Sequence, residues 1–99
     1  MSWTVYITEV AREELDEAHS YYEAKQPGLG TDFLVEIEAI MPRLESNPYQ
    51  FPERFLDLRA ATLQRFPFLV VYRVQEASLE VDVVAIANTY QDPKRWQKR

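Results

Sequence analysis

Hydrophobic positions near the N-terminus first alternate with their neighbours and then adopt a helical period. Trp3, Val5 and Ile7 occupy every second position, which predicts a strand buried on one face. Thr8 follows, and its hydroxyl can accept a hydrogen bond in the first turn of a helix. Apolar residues then recur at spacings of four, three and four, at Ala11, Leu15, Ala18 and Tyr22. This spacing predicts an amphipathic helix that begins after Thr8.

A second helical pattern follows a short break. Pro27 and Gly28 end the first helix, and Gly28 is expected in the left-handed conformation. The second helix is predicted to begin near Thr31 or Asp32, with an apolar stripe of Phe33, Ile37, Ile40 and Leu44. Pro42 lies inside this pattern and predicts a kink or an early end. Since so few residues join the two helices, they are expected to form an antiparallel hairpin.

Three apolar segments complete the chain, at roughly 58–64, 68–74 and 79–87, and the residues at 75–78 suit a hairpin turn. In the last segment, one face of the strand is expected to carry Leu79, Val81, Val83 and Ala85. The order of elements predicts an α+β fold with an N-terminal strand, an antiparallel two-helix hairpin and a three-stranded antiparallel meander. The hairpin packs on a small, mainly antiparallel sheet, in a single domain over residues 1–99.

Charge divides the chain into two parts. Residues 1–53 carry 3 basic and 11 acidic side chains, and residues 54–99 carry 8 basic and 5 acidic ones, which gives −8 and +3 and a net charge of −5. The basic half fits a polyanion or an acidic partner. The absence of cysteine excludes disulfides and thiolate chemistry. No apolar run is long enough to span a bilayer, and no signal peptide is recognised, so we expect a cytoplasmic protein with no membrane partner.

Most standard catalytic patterns are absent from the sequence. There is no glycine-rich phosphate loop, and His19 is the single histidine, so we expect neither a cofactor nor a metal site. Cationic side chains remain on the predicted strands and in the C-terminal segment: Arg59, Arg65, Arg73, Lys94, Arg95, Lys98 and Arg99. Guanidinium groups bind phosphate and carboxylate in a bidentate manner and stay charged at every relevant pH.

A metal-free ribonuclease would combine such cations with a proton donor and acceptor. Tyr72, Tyr90 and Lys94 are the candidates for these proton transfers, although the alternation of Tyr72 with apolar residues favours a place in the core. Arg59 and Arg65 have an alternative structural role, either in pairing with helix carboxylates or in holding the strand turn. Trp96 either packs back on the helices or docks a partner.

The ordered series of these features resembles the RelE/ParE superfamily of toxins from bacterial type II toxin–antitoxin systems, and its spacing is closest to the ParE-like and plasmid-stabilisation branch. The resemblance spans nearly the whole chain and is carried by Arg59, the Arg65-Phe66-Pro67-Phe68 segment, Tyr72, Asp92-Pro93, Trp96 and Arg99. It implies a toxin that a cognate antitoxin neutralises. RelE-like members cleave mRNA on the ribosome, whereas ParE-like members inhibit DNA gyrase.

The resemblance also assigns expected roles to residues of this chain. For a ribonuclease, the catalytic residues would be Arg59, Arg65, Tyr90 and Lys94. For binding of a target or partner, the residues would be Arg73, Arg95, Trp96, Lys98 and Arg99. Many members carry a histidine and one or two arginines where this chain has Asn88, Tyr90 and Gln91, which weakens the case for RNA cleavage. The leading hypothesis is therefore gyrase binding without catalysis. A ribosome-dependent ribonuclease, a non-toxic relative that only binds a partner, and a homodimer remain open.

Overall fold

The computed structural model describes residues 2–99 and contains five strands, three α-helices and two single-turn 3₁₀ helices within that range. The strands are β1 (Thr4–Ile7), β2 (Glu53–Phe55), β3 (Leu58–Thr62), β4 (Phe68–Gln75) and β5 (Glu80–Asn88). The helices are α1 (Glu9–Lys25), α2 (Leu29–Ser46) and the short α3 (Lys94–Gln97). The predicted α+β class, the helical hairpin and the C-terminal meander are confirmed.

One sheet of order β1-β5-β4-β3-β2 joins all five strands. β1 lies parallel to β5, with Val5 opposite Val81, and every other pair is antiparallel. β2 was not predicted, because its three residues carry no apolar alternation and two of them are exposed. The sequence therefore predicted the central strands of the sheet and missed the short strand at its edge.

The two long helices begin where capping groups are available. The Thr8 hydroxyl accepts from the Ala11 N–H at 3.2 Å, as predicted for α1. α2 starts at Leu29, ahead of the predicted position, because the Glu23 carboxylate of α1 accepts from the N–H groups of Gly28 at 2.9 Å and Gly30 at 3.0 Å. These two bonds lower the pKa of Glu23. Gly28 has φ of 92°, which confirms the left-handed conformation.

The second helix continues through its internal proline. α2 runs past Pro42 to Ser46, so the early end that Pro42 predicted is wrong. Pro42 cannot donate to the carbonyl of Glu38, but both residues are exposed, and water can satisfy that carbonyl. The arginine in the last turn, Arg43, lies on the favourable side of the helix dipole.

The main core lies between the helices and the sheet. The predicted helix stripes are buried there, and they meet the inner sheet face at Phe68, Val70, Tyr72, Val81 and Val83. A smaller cluster on the outer face includes Val71, Val84, Ala85 and Trp96. The expectation that Ala85 shares a face with Val83 is wrong. The pairing of β4 with β5 shifts register between Val71 and Tyr72, which inserts Val84 as an extra residue and reverses the alternation after it.

Candidate functional site

Arg59 lies on β3 and points to the helix-bearing side of the sheet. Its guanidinium donates to the carbonyl oxygens of Phe51 at 2.8 Å and Tyr49 at 3.3 Å, and it lies 5.2 Å from the centroid of the Tyr49 ring. Within residues 2–99 it forms no salt bridge, so pairing with a helix carboxylate is excluded as its role there. Arg59 instead holds the segment that leads into β2.

Arg65 lies in the turn between β3 and β4. Its backbone N–H and that of Gln64 donate to one oxygen of the Glu36 carboxylate, at 3.1 and 2.5 Å, so Glu36 fixes this turn on α2. The guanidinium reaches Asp32 at 3.5 Å, and the two side chains are 64% and 49% exposed. At this exposure the ion pair contributes little to stability, which leaves the charge of Arg65 available to a partner.

Arg73 and Arg99 tie the C-terminus to the sheet. Arg73 forms a salt bridge with Asp57 at 2.9 Å and donates to the carbonyl oxygen of Arg99 at 3.3 Å. The Arg99 guanidinium contacts Glu14 of α1 at 2.7 Å, where both side chains are about three-quarters buried or more. Both arginines therefore have structural partners already.

The contact between Glu14 and Arg99 also covers backbone that β1 leaves unpaired. β1 ends opposite Val83, so β5 continues beyond it. On that stretch the N–H of Ile86 donates to Glu14 at 3.1 Å, and the carbonyl oxygen of Val84 accepts from Arg99 at 3.3 Å. Two side chains thus satisfy a strand edge that would otherwise need a further strand.

The rest of the basic C-terminal segment divides into buried and exposed residues. Trp96 is 6% exposed and packs on the outer face of the sheet, away from the helices. The expectation that it packs on the helices is wrong, although the indole is buried and is not presented to a partner. Lys94, Arg95 and Lys98 are exposed on and around α3. They form a basic patch, which we define by these three residues.

Tyrosines occupy two very different environments. Tyr90 is 87% exposed in the loop before α3, where its backbone N–H donates to Asn88 Oδ1 at 2.8 Å. Tyr72 is fully buried, and its hydroxyl donates to the carbonyl oxygen of Pro48 at 2.5 Å. Burial raises the pKa of Tyr72 to about 12, although the charge of Arg59 acts to lower it. Tyr72 is therefore a core residue, as its alternation favoured.

Of the four residues considered for ribonuclease chemistry, Arg59 lies apart from Arg65 and Tyr90. Arg59 faces the helices from β3 and is held by the backbone carbonyls of Tyr49 and Phe51. Arg65 and Tyr90 belong to two loops that meet at the other end of β3 and β4, where the Thr89 N–H donates to the Pro67 carbonyl oxygen at 2.7 Å. Lys94 begins α3, which follows the loop of Tyr90. In the described range, no group of three His, Asp or Glu side chains is arranged to hold a metal ion.

Two surface grooves of about 350 Å³ flank the helices. One lies between α1 and the end of β5, and it includes Tyr21, Phe68, Ile86 and Arg95. The other lies between α2 and β3, and it includes Val35, Ile40, Thr62 and Arg65. Both grooves place apolar side chains beside charged ones at a strand edge, which is a combination that suits a protein partner.

Sequence reasoning missed several residues that shape these surfaces. The carboxylates of Glu14 and Glu36 accept backbone N–H groups from the sheet or its turn, which the sequence did not predict. Arg54, on the unpredicted β2, donates to the Thr62 hydroxyl at 3.2 Å. The spacing along α1 and α2 gives no signal for these contacts, because each partner lies far away in sequence.

The fold and its basic surfaces define a small α+β toxin-like domain, in which a helical hairpin packs on a mainly antiparallel sheet. The sequence model for the family described as ParE toxin of type II toxin–antitoxin system, parDE, matches residues 5–93. The match covers most of the chain, so the protein belongs to that family, and the predicted RelE/ParE relationship is confirmed. It is the toxin component of a type II toxin–antitoxin system.

Solved structures show the same fold at low sequence identity. A chain of the chromosomal ParDE toxin–antitoxin system from P. aeruginosa is 22% identical with a TM-score of 0.75, over 88% of this chain and 96% of that one. A chain of the RelBE2 toxin–antitoxin complex from Mycobacterium tuberculosis is 16% identical with a TM-score of 0.63, over 89% of this chain and 99% of that one. No curated protein matches the sequence. Among residues 2–99, no helix has the length and apolar character needed to cross a membrane.

Proposed function

We propose that this toxin acts in the cytoplasm, as a single domain, by binding a protein target without catalysing a reaction, and that a cognate antitoxin neutralises it. DNA gyrase is the proposed target, because that is the target implied by the ParE-like branch. One observation carries the non-catalytic part of the proposal. Arg59, one of the cations that a ribonuclease would need, is held by the backbone carbonyls of Tyr49 and Phe51, away from the loops that carry Arg65 and Tyr90.

Charge supports the basic patch as part of the target-binding surface. The whole chain has a net charge of −5, whereas Lys94, Arg95 and Lys98 are exposed together and make no salt bridge within residues 2–99. Such a patch steers association with an acidic surface and affects the association rate more than the final contact energy. The antitoxin proposal draws on the two structural neighbours, which come from toxin–antitoxin systems.

The first experiment induces the toxin in a bacterial host and assays purified toxin against gyrase supercoiling and ribosome-bound mRNA. We expect growth arrest and loss of supercoiling, with intact mRNA. Cleaved mRNA with active gyrase would instead establish the ribonuclease, and loss of cleavage in Arg65→Ala would then identify a required cation. Normal growth with soluble, folded protein would leave the partner-binding relative as the correct hypothesis.

A charge-matched pair of variants tests the basic patch. Lys94→Ala/Lys98→Ala removes two exposed charges from the patch, and Arg12→Ala/Lys25→Ala removes two from the helical hairpin. Exposed charges contribute up to about 1 kcal/mol each, so the loss of two should weaken gyrase inhibition by up to about thirtyfold. The second should leave inhibition unchanged. Equal losses in both variants would show that overall charge matters and that the patch has no special role.

A further inference from the structure

The turn between β2 and β3 carries a leucine in a backbone conformation that favours glycine. Leu56 and Asp57 are the two central residues of this hairpin, since Phe55 pairs with Leu58. Of the two, only Leu56 has a positive φ, of 52°. In two-residue hairpins, a first central residue with positive φ is typically glycine, asparagine or aspartate. A larger side chain is strained there, because its β-carbon crowds the following carbonyl oxygen.

The side chain of Leu56 is also turned to solvent. It is 77% exposed, which exceeds the 61% exposure of Val35 on α2, so it adds little buried surface to the core. A single exposed leucine is ordinary on a protein surface. At this position, however, leucine suits neither the backbone conformation nor the exposure, so the fold alone does not account for it. Strained residues of this kind cluster at binding sites.

The tip of this hairpin adjoins the basic patch. Arg73 forms a salt bridge with Asp57 at 2.9 Å and donates to the carbonyl oxygen of Arg99 at 3.3 Å. This arginine therefore joins the turn to the end of the chain and neutralises the charge of Asp57. Lys98, a member of the basic patch, directly precedes Arg99. The exposed leucine and the basic patch consequently belong to one surface.

Arg54 adds a further positive charge to that surface. Its guanidinium lies 3.2 Å from the Thr62 hydroxyl, and it lines a pocket together with Trp96 of α3. Within residues 2–99, Arg54 forms no salt bridge. Glu53 is paired opposite Arg59, which faces the helices, so its carboxylate lies on the other side of the sheet. The tip thus presents an apolar side chain flanked by cations, which is complementary to an apolar pocket rimmed by carboxylates.

We propose that Leu56 is the apolar anchor with which this toxin binds its protein target, and that it inserts into an apolar pocket with an acidic rim. The flanking cations, Arg54 and Lys98, then meet the rim. A few buried anchors supply most of the binding energy of an interface, and the charges around them exclude water and select the partner. A two-residue turn holds such an anchor with little further loss of conformational entropy on binding. The inference rests on the proposed function for the existence of a protein target.

Two substitutions at this position separate the side chain from the backbone. Leu56→Asn suits the positive φ and removes the apolar side chain, so it should keep the melting temperature or raise it by up to about 8 °C. It should also weaken gyrase inhibition at least about tenfold, which is about 1.4 kcal/mol. Leu56→Met keeps an apolar side chain of similar volume and should inhibit as the wild type does. Val35→Gln, which removes an exposed apolar side chain from α2, should leave inhibition unchanged.

Full inhibition by Leu56→Asn, or equal losses in Leu56→Asn and Leu56→Met, would overturn the proposal. A clear fall in the melting temperature of Leu56→Asn would overturn it too, because the fold itself would then require the leucine. The amount of induced toxin that arrests growth is measured for the same variants and should rise at least about tenfold for Leu56→Asn. If wild-type toxin arrests growth but leaves gyrase active, the choice of gyrase fails, and the growth comparison still decides the role of Leu56. Wild-type toxin that neither arrests growth nor inhibits gyrase would overturn both proposals.

Discussion

Gly30 provides the sharpest test of how the two long helices pack. A β-carbon at this position would lie 2.8 Å from the carbonyl oxygen of His19, 2.8 Å from its Cδ2 atom and 2.9 Å from a carboxylate oxygen of Glu23. The carbonyl oxygen belongs to the backbone of α1, so it moves only if the helix moves. Gly30→Ala should therefore force α1 and α2 apart and weaken the bond between Glu23 and the Gly30 N–H.

The expected loss of stability follows from two opposing contributions. Overpacking costs about 1–3 kcal/mol, whereas alanine is favoured over glycine inside a helix by about 1 kcal/mol. The difference is about 0–2 kcal/mol, and because one clash is with a backbone atom we expect the upper half of this range, about 1–2 kcal/mol, or about 5–15 °C in the melting temperature of a domain of this size. Urea unfolding followed by tryptophan fluorescence measures it. Thr31→Ala, at an exposed position of the same helix, is the control for helix propensity and should not destabilise the protein.

A second substitution identifies the atom responsible for the clash. In the Gly30→Ala background, His19→Ala removes the contact with Cδ2 but keeps the one with the carbonyl oxygen. We expect it to recover less than half of the lost stability. The reasoning would be refuted if Gly30→Ala alone were as stable as the wild type, because the close approach of the helices would then not require glycine.

Three further outcomes follow from buried or hydrogen-bonded groups. Tyr72→Phe should lower stability by about 1–3 kcal/mol, because the buried Pro48 carbonyl loses its donor. In the wild type, the raised pKa of Tyr72 stabilises the fold below pH 10. Denaturant titrations should show this stability falling by up to about 1.4 kcal/mol per pH unit as pH rises from about 10 to about 12. Arg99→Ala should lower stability by about 1–3 kcal/mol, since it leaves Glu14 without its cation. Lys98→Ala is the control and should be neutral in the same unfolding assay. Equal effects of the two substitutions would contradict a stabilising contact between Arg99 and Glu14. Glu23→Gln should reduce the loss of stability on acidification. The lowered pKa of Glu23 stabilises the fold above about pH 4.5, and this contribution is lost as pH falls through the folded-state pKa. An acid-unfolding curve that Glu23→Gln leaves unchanged would contradict this prediction.

Local patterns predicted the elements that bury an apolar stripe of their own. The stripes of α1 and α2 and the alternation in β4 each repeat over several residues, so the period is recognisable without tertiary information. β2 and α3 are three and four residues long, and their position depends on neighbouring strands and on Trp96. The bulge at Val84 was also beyond a local prediction, because an uninterrupted run of small apolar residues looks the same with and without it.

The sequence predicted which residues are cationic but did not predict which of these charges are already engaged. Arg59 meets the backbone carbonyls of Tyr49 and Phe51, and Arg99 meets Glu14, only because separate segments of the chain come together there. Arg54, by contrast, belonged to no predicted element and was overlooked. A basic side chain becomes a credible partner-binding residue only when its intramolecular contacts are known, and those contacts depend on tertiary structure.

The parallel pairing of β1 with β5 has a consequence for synthesis of the protein. β1 has its partner among residues 80–83, beyond the helical hairpin and three other strands. The contacts between the two helices are local in sequence and can form early, but this pairing must wait until β5 has been translated. Incomplete chains should therefore expose an unpaired N-terminal strand, and truncation before residue 80 should yield aggregation-prone fragments. A cell making this toxin would thus complete its sheet only after β5 has been translated.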